Sequence, residues 1–183
     1  MRIWDTPTAY GVVTRALHWA MALLFLWQFT GMVMKVTLER TPLVAFWTGT
    51  HASVGALLFA FIVVRLVWAC LNLKHRPPHG SGAHGWLVRL GHTVLYGLML
   101  VIPLIAILRA YGNGRGLKVF GWQLIEATGV QVPAMTAPAS AFHGLLGWTL
   151  LVLIGGHIVM VLVHKHVWRD DVASRMIGKR ADQ

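Results

Sequence analysis

Ala141-Phe142-His143-Gly144-Leu145-Leu146-Gly147-Trp148-Thr149-Leu150-Leu151-Val152-Leu153-Ile154-Gly155-Gly156-His157-Ile158-Val159-Met160-Val161-Leu162-Val163 contains no charged residue and two histidines. A bilayer core is crossed by about 20 apolar residues in a helix, so this stretch reads as a membrane span. His143 and His157 stand fourteen residues apart on it. At helical pitch that is about 21 Å along the axis and about 40° in azimuth. The two imidazoles therefore leave nearly the same face at two depths, His143 toward the outer side and His157 toward the inner side.

Three more segments pass the same test. Residues 16–34 are uncharged, and their helix begins near Gly11. The second segment is broken only by Arg65, and the third follows a polar connector. Helices are expected over about 11–35, 43–73, 86–109 and 141–165. The fold class is all-α: a transmembrane four-helix bundle forming a single membrane domain over 1–183.

Composition supports this reading. Of 183 residues, 56% are hydrophobic and only 12% charged, with a mean hydropathy of +0.62. Soluble domains carry about 25% charged residues, so a soluble enzyme is excluded, and so is a disordered chain. The net charge of +10 would suggest nucleic acid in a soluble protein. Here the basic residues flank apolar runs, which points to membrane orientation and to no nucleic-acid partner. Residues 16–34 are too long for a signal-peptide core. Gly31-Met32-Val33-Met34-Lys35 offers no small-residue cleavage pattern, so the segment is expected to stay as an anchor.

Arg2, Arg15, Arg65, Lys74, Arg76, Arg89, Lys165, Arg169, Arg175, Lys179 and Arg180 fall on the side of the termini; Lys35, Arg40, Arg109, Arg115 and Lys118 fall on the other. Eleven against five places the termini and the 72–86 connector in the cytoplasm. Trp19, Trp68, Trp86 and Trp168 read as inner interface anchors, Trp47, Trp122 and Trp148 as outer ones, and Trp27 as packing. Residues 110–140 read as a structured outer loop with a short apolar piece at 119–125. The single Cys70 excludes an internal disulfide, a C-x-x-C motif and covalent haem attachment; it reads as an apolar filler near a helix end.

Five of the ten histidines, His18, His51, His92, His143 and His157, lie in apolar segments. Ionisable groups at membrane depth are costly and mark function, although any one of them alone could be a hydrogen bond between helices. His18 lies near the inner end of the first helix and His51 near the outer end of the second. Each depth of the fourth helix thus gains a partner: His18 with His157, and His51 with His143. Two imidazoles fill both axial positions of a haem iron and leave no open site for oxygen. That suits electron transfer across a helical bundle.

Gly55, Gly144, Gly147, Gly155 and Gly156 near these histidines read either as room for a flat macrocycle or as plain helix packing. Arg15 and Arg65, both at the inner level, read either as propionate partners or as snorkelling cations. His92 and His164 are left without a partner at their depth. They are candidates for a quinone site or are hydrogen-bonded interfacial histidines. His75, His79, His84 and His166 read as solvated.

These residues resemble the bacterial cytochrome b561 family, related to the cytochrome b subunits of nickel-iron hydrogenases. The resemblance is carried by Arg15-Ala16-Leu17-His18-Trp19, by Thr50-His51-Ala52-Ser53-Val54-Gly55 with Val64-Arg65-Leu66, and by Leu90-Gly91-His92 with Leu95-Tyr96. It continues through Phe142-His143-Gly144, Gly156-His157 and Ser174-Arg175-Met176, covering almost the whole chain. It implies two b-type haems in the bacterial inner membrane with His18, His51, His143 and His157 as axial ligands. The layout is also similar to the member of that family that oxidises superoxide and passes the electron to ubiquinone.

The leading expectation is an electron-transfer oxidoreductase linking the periplasmic face to the quinone pool, with superoxide or a periplasmic redox protein at the outer side. Lys35, Arg40, Arg109, Arg115 and Lys118 against Glu39 and Glu126 give the outer loops a net +3. Arg40, Arg115 and Lys118 could steer an anion or serve only loop solubility. A haem b membrane anchor of a larger redox complex is the alternative. A haem-free, histidine-lined transporter is a third reading, but it lacks the acidic residues and broken helices of such a path.

Overall fold

Backbone amides in hydrocarbon must be satisfied within the protein, and here long helices do this. The computed structural model describes residues 2–77, 82–170 and 172–178. In chain order it contains α1 (Val12–Thr37), α2 (Pro42–Gly49), α3 (His51–Leu71), α4 (Gly82–Gly112), β1 (Leu117–Val119), β2 (Trp122–Ile125), α5 (Pro133–His166) and α6 (Val172–Ile177). Four spans are long and apolar enough to cross a membrane: α1, α2 with α3, α4, and α5. Packing runs from α1 to α3, α3 to α4 and α4 to α5, and α6 lies against α5. Large apolar side chains such as Leu23, Leu26, Val64, Leu104 and Val152 face outward, as expected of helices solvated by lipid. The expected inner residues His79, Lys179 and Arg180 lie outside the described residues.

Local chemistry sets the ends. Thr41 caps α2, its hydroxyl accepting from the Val44 amide at 3.3 Å, with Pro42 in the first turn. The second span is broken at Thr50, whose hydroxyl donates to the Trp47 carbonyl at 2.8 Å. Trp27 donates its indole N–H to that same hydroxyl at 2.9 Å and stacks on Trp47 at 4.0 Å. Trp47, expected as an outer anchor, is therefore a packing residue. α4 runs to Gly112 and α5 begins at Pro133, both beyond the expected bounds. The two ends cross so closely that a Cβ on Gly112 would collide with the Met135 side chain.

The apolar piece of the outer loop is an antiparallel hairpin, β1 with β2. The Phe120 amide at its tip donates to Ser53 Oγ on α3 at 3.0 Å. At the opposite end of the bundle, the N-terminal segment folds back over α1. Gly11 is needed there, because any side chain would strike the Ile3 carbonyl. Asp5 is buried; its Oδ1 accepts from the Gly11 amide (2.8 Å) and the Thr14 hydroxyl (2.7 Å), and Arg76 Nε stands 3.5 Å from its Oδ2. Its own amide donates to the wholly buried Asn72 (3.1 Å), and Trp4 stacks on Trp68 at 4.9 Å. Burial of the nearby Tyr10 pushes its phenol above the usual range.

Two smaller expectations change. Cys70 is exposed near the end of α3, so it is not a core filler. His84 lies within α4, not in the connector, and its ring packs against Trp168 at 5.6 Å.

Candidate functional site: two levels of histidine

At the level expected to be the outer one, the His51 and His143 rings stand 5.9 Å apart, centroid to centroid. Imidazole nitrogens bind a metal at about 2 Å, so one iron between two rings needs centroids roughly 6 Å apart. His51 begins α3 directly after the Thr50 break, and Gln28 of α1 donates to its carbonyl at 3.1 Å. His143 is set from its far side: Nδ1 donates to the Ile102 carbonyl of α4 at 3.2 Å. With its proton committed there, Nε2 carries the lone pair a metal requires.

The inner level gathers three imidazoles. The His92 and His157 rings face each other at 5.6 Å, and His18 lies within electrostatic range of both. Arg65 of α3 reaches His18 Nδ1 through Nη2 at 3.2 Å and the Tyr96 hydroxyl of α4 through Nε at 2.9 Å. A guanidinium only donates, so His18 Nδ1 accepts in this arrangement and its proton sits on Nε2. Tyr96 also holds Arg65 across its ring face at 5.6 Å. His92 Nδ1 donates to the Val88 carbonyl at 2.7 Å. Arg15 donates to the Ile177 carbonyl at 3.0 Å and Trp19 to the Met176 carbonyl at 3.2 Å, so both fasten α6 across the inner end of α1.

His92 and His164, which the sequence left without partners, both have neighbours. His92 faces His157, whereas His164 stands apart from them with His84 and Trp168 at ring distances of 5.7 and 4.6 Å. No spacing or periodicity marks Gln28, Tyr96 as the holder of Arg65, or Asp170, which stands 3.4 Å from His164 Nδ1.

The chain has residues that fit a b-type haem. Imidazoles from separate helices face each other, and His143 is preset for ligation. A Cβ built on Gly91, Gly97, Gly144, Gly147, Gly155 or Gly156 would meet nothing within 4 Å, so those helix faces leave room for a flat group. The sequence matches the family of prokaryotic cytochrome b561 over residues 9–179. The chain belongs to that family. It is 32% identical to "Cytochrome b561 homolog 2" of Escherichia coli (strain K12), over 98% of this chain and 96% of the relative. It is 23% identical to "Probable superoxide oxidase CybB" of Yersinia pestis, over 93% and 97% respectively. Membership makes the chain a multi-pass membrane protein of electron transfer whose cofactor is b-type haem, which displaces the transporter reading.

At the end of the bundle that carries the hairpin, Arg40, Arg115 and Lys118 are all exposed. Lys118 lies on the hairpin that Ser53 holds, and Ser53 is two residues from His51. The cationic hairpin is thereby tied beside the outer histidine level.

Proposed function

We propose that the chain carries two b-type haems, one held by His51 and His143 and one by His18 and His157. In this reading it moves electrons from the periplasmic face of the bacterial inner membrane to ubiquinone at the cytoplasmic boundary, with both termini in the cytoplasm. The observation that carries this is histidine at two levels of one bundle, with α5 contributing to both. When bound, haem supplies one-electron chemistry. The protein holds the imidazoles and commits the Nδ1 proton of His143 to Ile102. It keeps a cation, Arg65, at the inner level, where it could meet a propionate. His164, near the end of α5 with His84 and Trp168, and His92, facing His157, are the groups that would handle protons for the quinone.

Superoxide fits the outer surface as donor: the loops carry a net +3, and the named relative from Yersinia pestis is distantly similar. Steering by Arg40, Arg115 and Lys118 weakens with salt, because the Debye length falls from about 10 Å at 0.1 M to about 3 Å at 1 M. Haem reduction by superoxide should slow as salt rises. Lys118→Glu should slow it further and flatten the salt dependence. Stopped-flow reduction over a salt series checks this. A rate indifferent to both salt and Lys118→Glu would move the search to a protein donor.

The quinone end is tested separately. His164→Leu should slow reoxidation of the reduced protein by ubiquinone-1 about a hundredfold, the lower end of the range for losing a proton donor, and leave the haem spectrum unchanged. An unaltered rate in both His164→Leu and His92→Leu would rule out a quinone at this boundary.

A further inference from the structure

We propose that Asp170 is a positioning residue for proton delivery: it holds His164 as the Nδ1–H tautomer, so that Nε2 is the nitrogen that serves the quinone. The inference rests on the quinone reading above and adds the group that orients its proton donor. Three observations carry it. His164 Nδ1 is buried and, among the described residues, makes no hydrogen bond. The carboxylate of Asp170 lies 3.4 Å from that nitrogen, with the His164 side chain 13% exposed and that of Asp170 53%. The chain also turns back to bring the two together. Past the end of α5, Arg169 adopts a left-handed backbone conformation (φ 54°), and the Asp170 amide donates to the His164 carbonyl at 2.9 Å. Arginine has no intrinsic preference for positive φ. Strained backbone that persists is held by its surroundings and gathers at functional sites.

The cluster is built from both sides. Trp168 packs edge-on to the His164 ring, and His84 of α4 meets both. Asp170 therefore faces one nitrogen of an imidazole whose rotation is restricted. A carboxylate on Nδ1–H fixes the tautomer and supports the imidazolium while the other nitrogen transfers a proton. The overall change balances. Converting one quinone to quinol takes two electrons, which two reduced haems would supply when bound, and two protons from the aqueous phase at that end. In each proton transfer the Nε2–H bond breaks as an O–H bond forms on a quinone oxygen, the N–H pair staying on nitrogen. Nε2 is then reprotonated from water, while Nδ1–H stays with Asp170.

The test uses the haem-loaded protein in lipid nanodiscs. With 15N-labelled histidine, the His164 ring signals are identified by their loss in His164→Leu. The wild type should show Nδ1–H, and Asp170→Asn should shift the ring toward Nε2–H. Mixing pre-reduced protein with ubiquinone-1 should show a maximal reoxidation rate about tenfold lower in Asp170→Asn, with the half-saturating quinone concentration and the haem spectrum unchanged. Asp170→Glu should restore most of the rate. Arg169→Gly, which accepts positive φ without strain, should keep both the tautomer and the rate. The same tautomer in wild type and Asp170→Asn would overturn the proposal. So would a shifted tautomer with an unchanged rate. If His164→Leu itself leaves reoxidation unchanged, the delivery role fails, and if His92→Leu leaves it unchanged as well, the quinone reading fails with it.

Discussion

His51→Ala and His143→Ala should each halve the haem content, from two haems per chain to one, and each should remove the same haem. His18→Ala and His157→Ala should remove the other. Haem quantitation by pyridine haemochrome and reduced-minus-oxidised spectra of the four purified variants read this directly. The loss is expected to be complete, because a b-type haem has no covalent tether and two axial bonds hold its iron. The inner level makes the experiment sharper. His157 faces His92 at 5.6 Å, while His18 Nδ1 accepts from Arg65 at 3.2 Å. To offer a bare Nε2, His18 must carry its proton on Nδ1, and Arg65 must turn away while keeping Tyr96. His92→Ala is therefore the deciding control and should keep both haems. Loss of the inner haem in His92→Ala but not in His18→Ala would move that ligand from α1 to α4.

The second large effect is one of stability. Asp5→Ala removes the acceptor of the Gly11 amide and the Thr14 hydroxyl and leaves Arg76 without its carboxylate. Breaking a buried charged pair costs about 3–5 kcal/mol, which for a chain of this size is roughly 10 °C in Tm. Thermal loss of haem absorbance in detergent measures it. Asp5→Asn keeps an acceptor oxygen and should lose less. A Tm within about 1 °C of wild type in Asp5→Ala would mean that water takes over those partners.

The spans were legible because a bilayer imposes one demand, length in apolar residues, and periodicity is not needed to see it. The depth of each histidine followed from position alone. Azimuth is where the sequence stopped. His92 sits on the inner part of α4, but only the packing of α4 on α5 turns its ring toward His157. The break at Thr50 was hidden because threonine is unremarkable in a helix; the indole of Trp27, twenty-three residues away, holds its hydroxyl. Nothing in the sequence marks Asp5, since its partner Arg76 is remote in sequence and shares no periodic pattern with it. Arg169 gave no sign of a left-handed turn because nothing in its side chain favours one.

One helix, α5, carries His143 and His157 at the two levels and His164 beyond them near its end, where His166 also stands. No proline interrupts it between them. The imidazoles facing the first three, His51, His92 and His84, stand on other helices and can shift with them, but the axial separation between the levels does not change. Fourteen residues at 1.5 Å fix it at about 21 Å. α5 is in effect a ruler. Tilting or shearing of the bundle by lipid, temperature or a docked partner changes how each centre is gripped, while the rise along α5 between the two grips stays a count of residues.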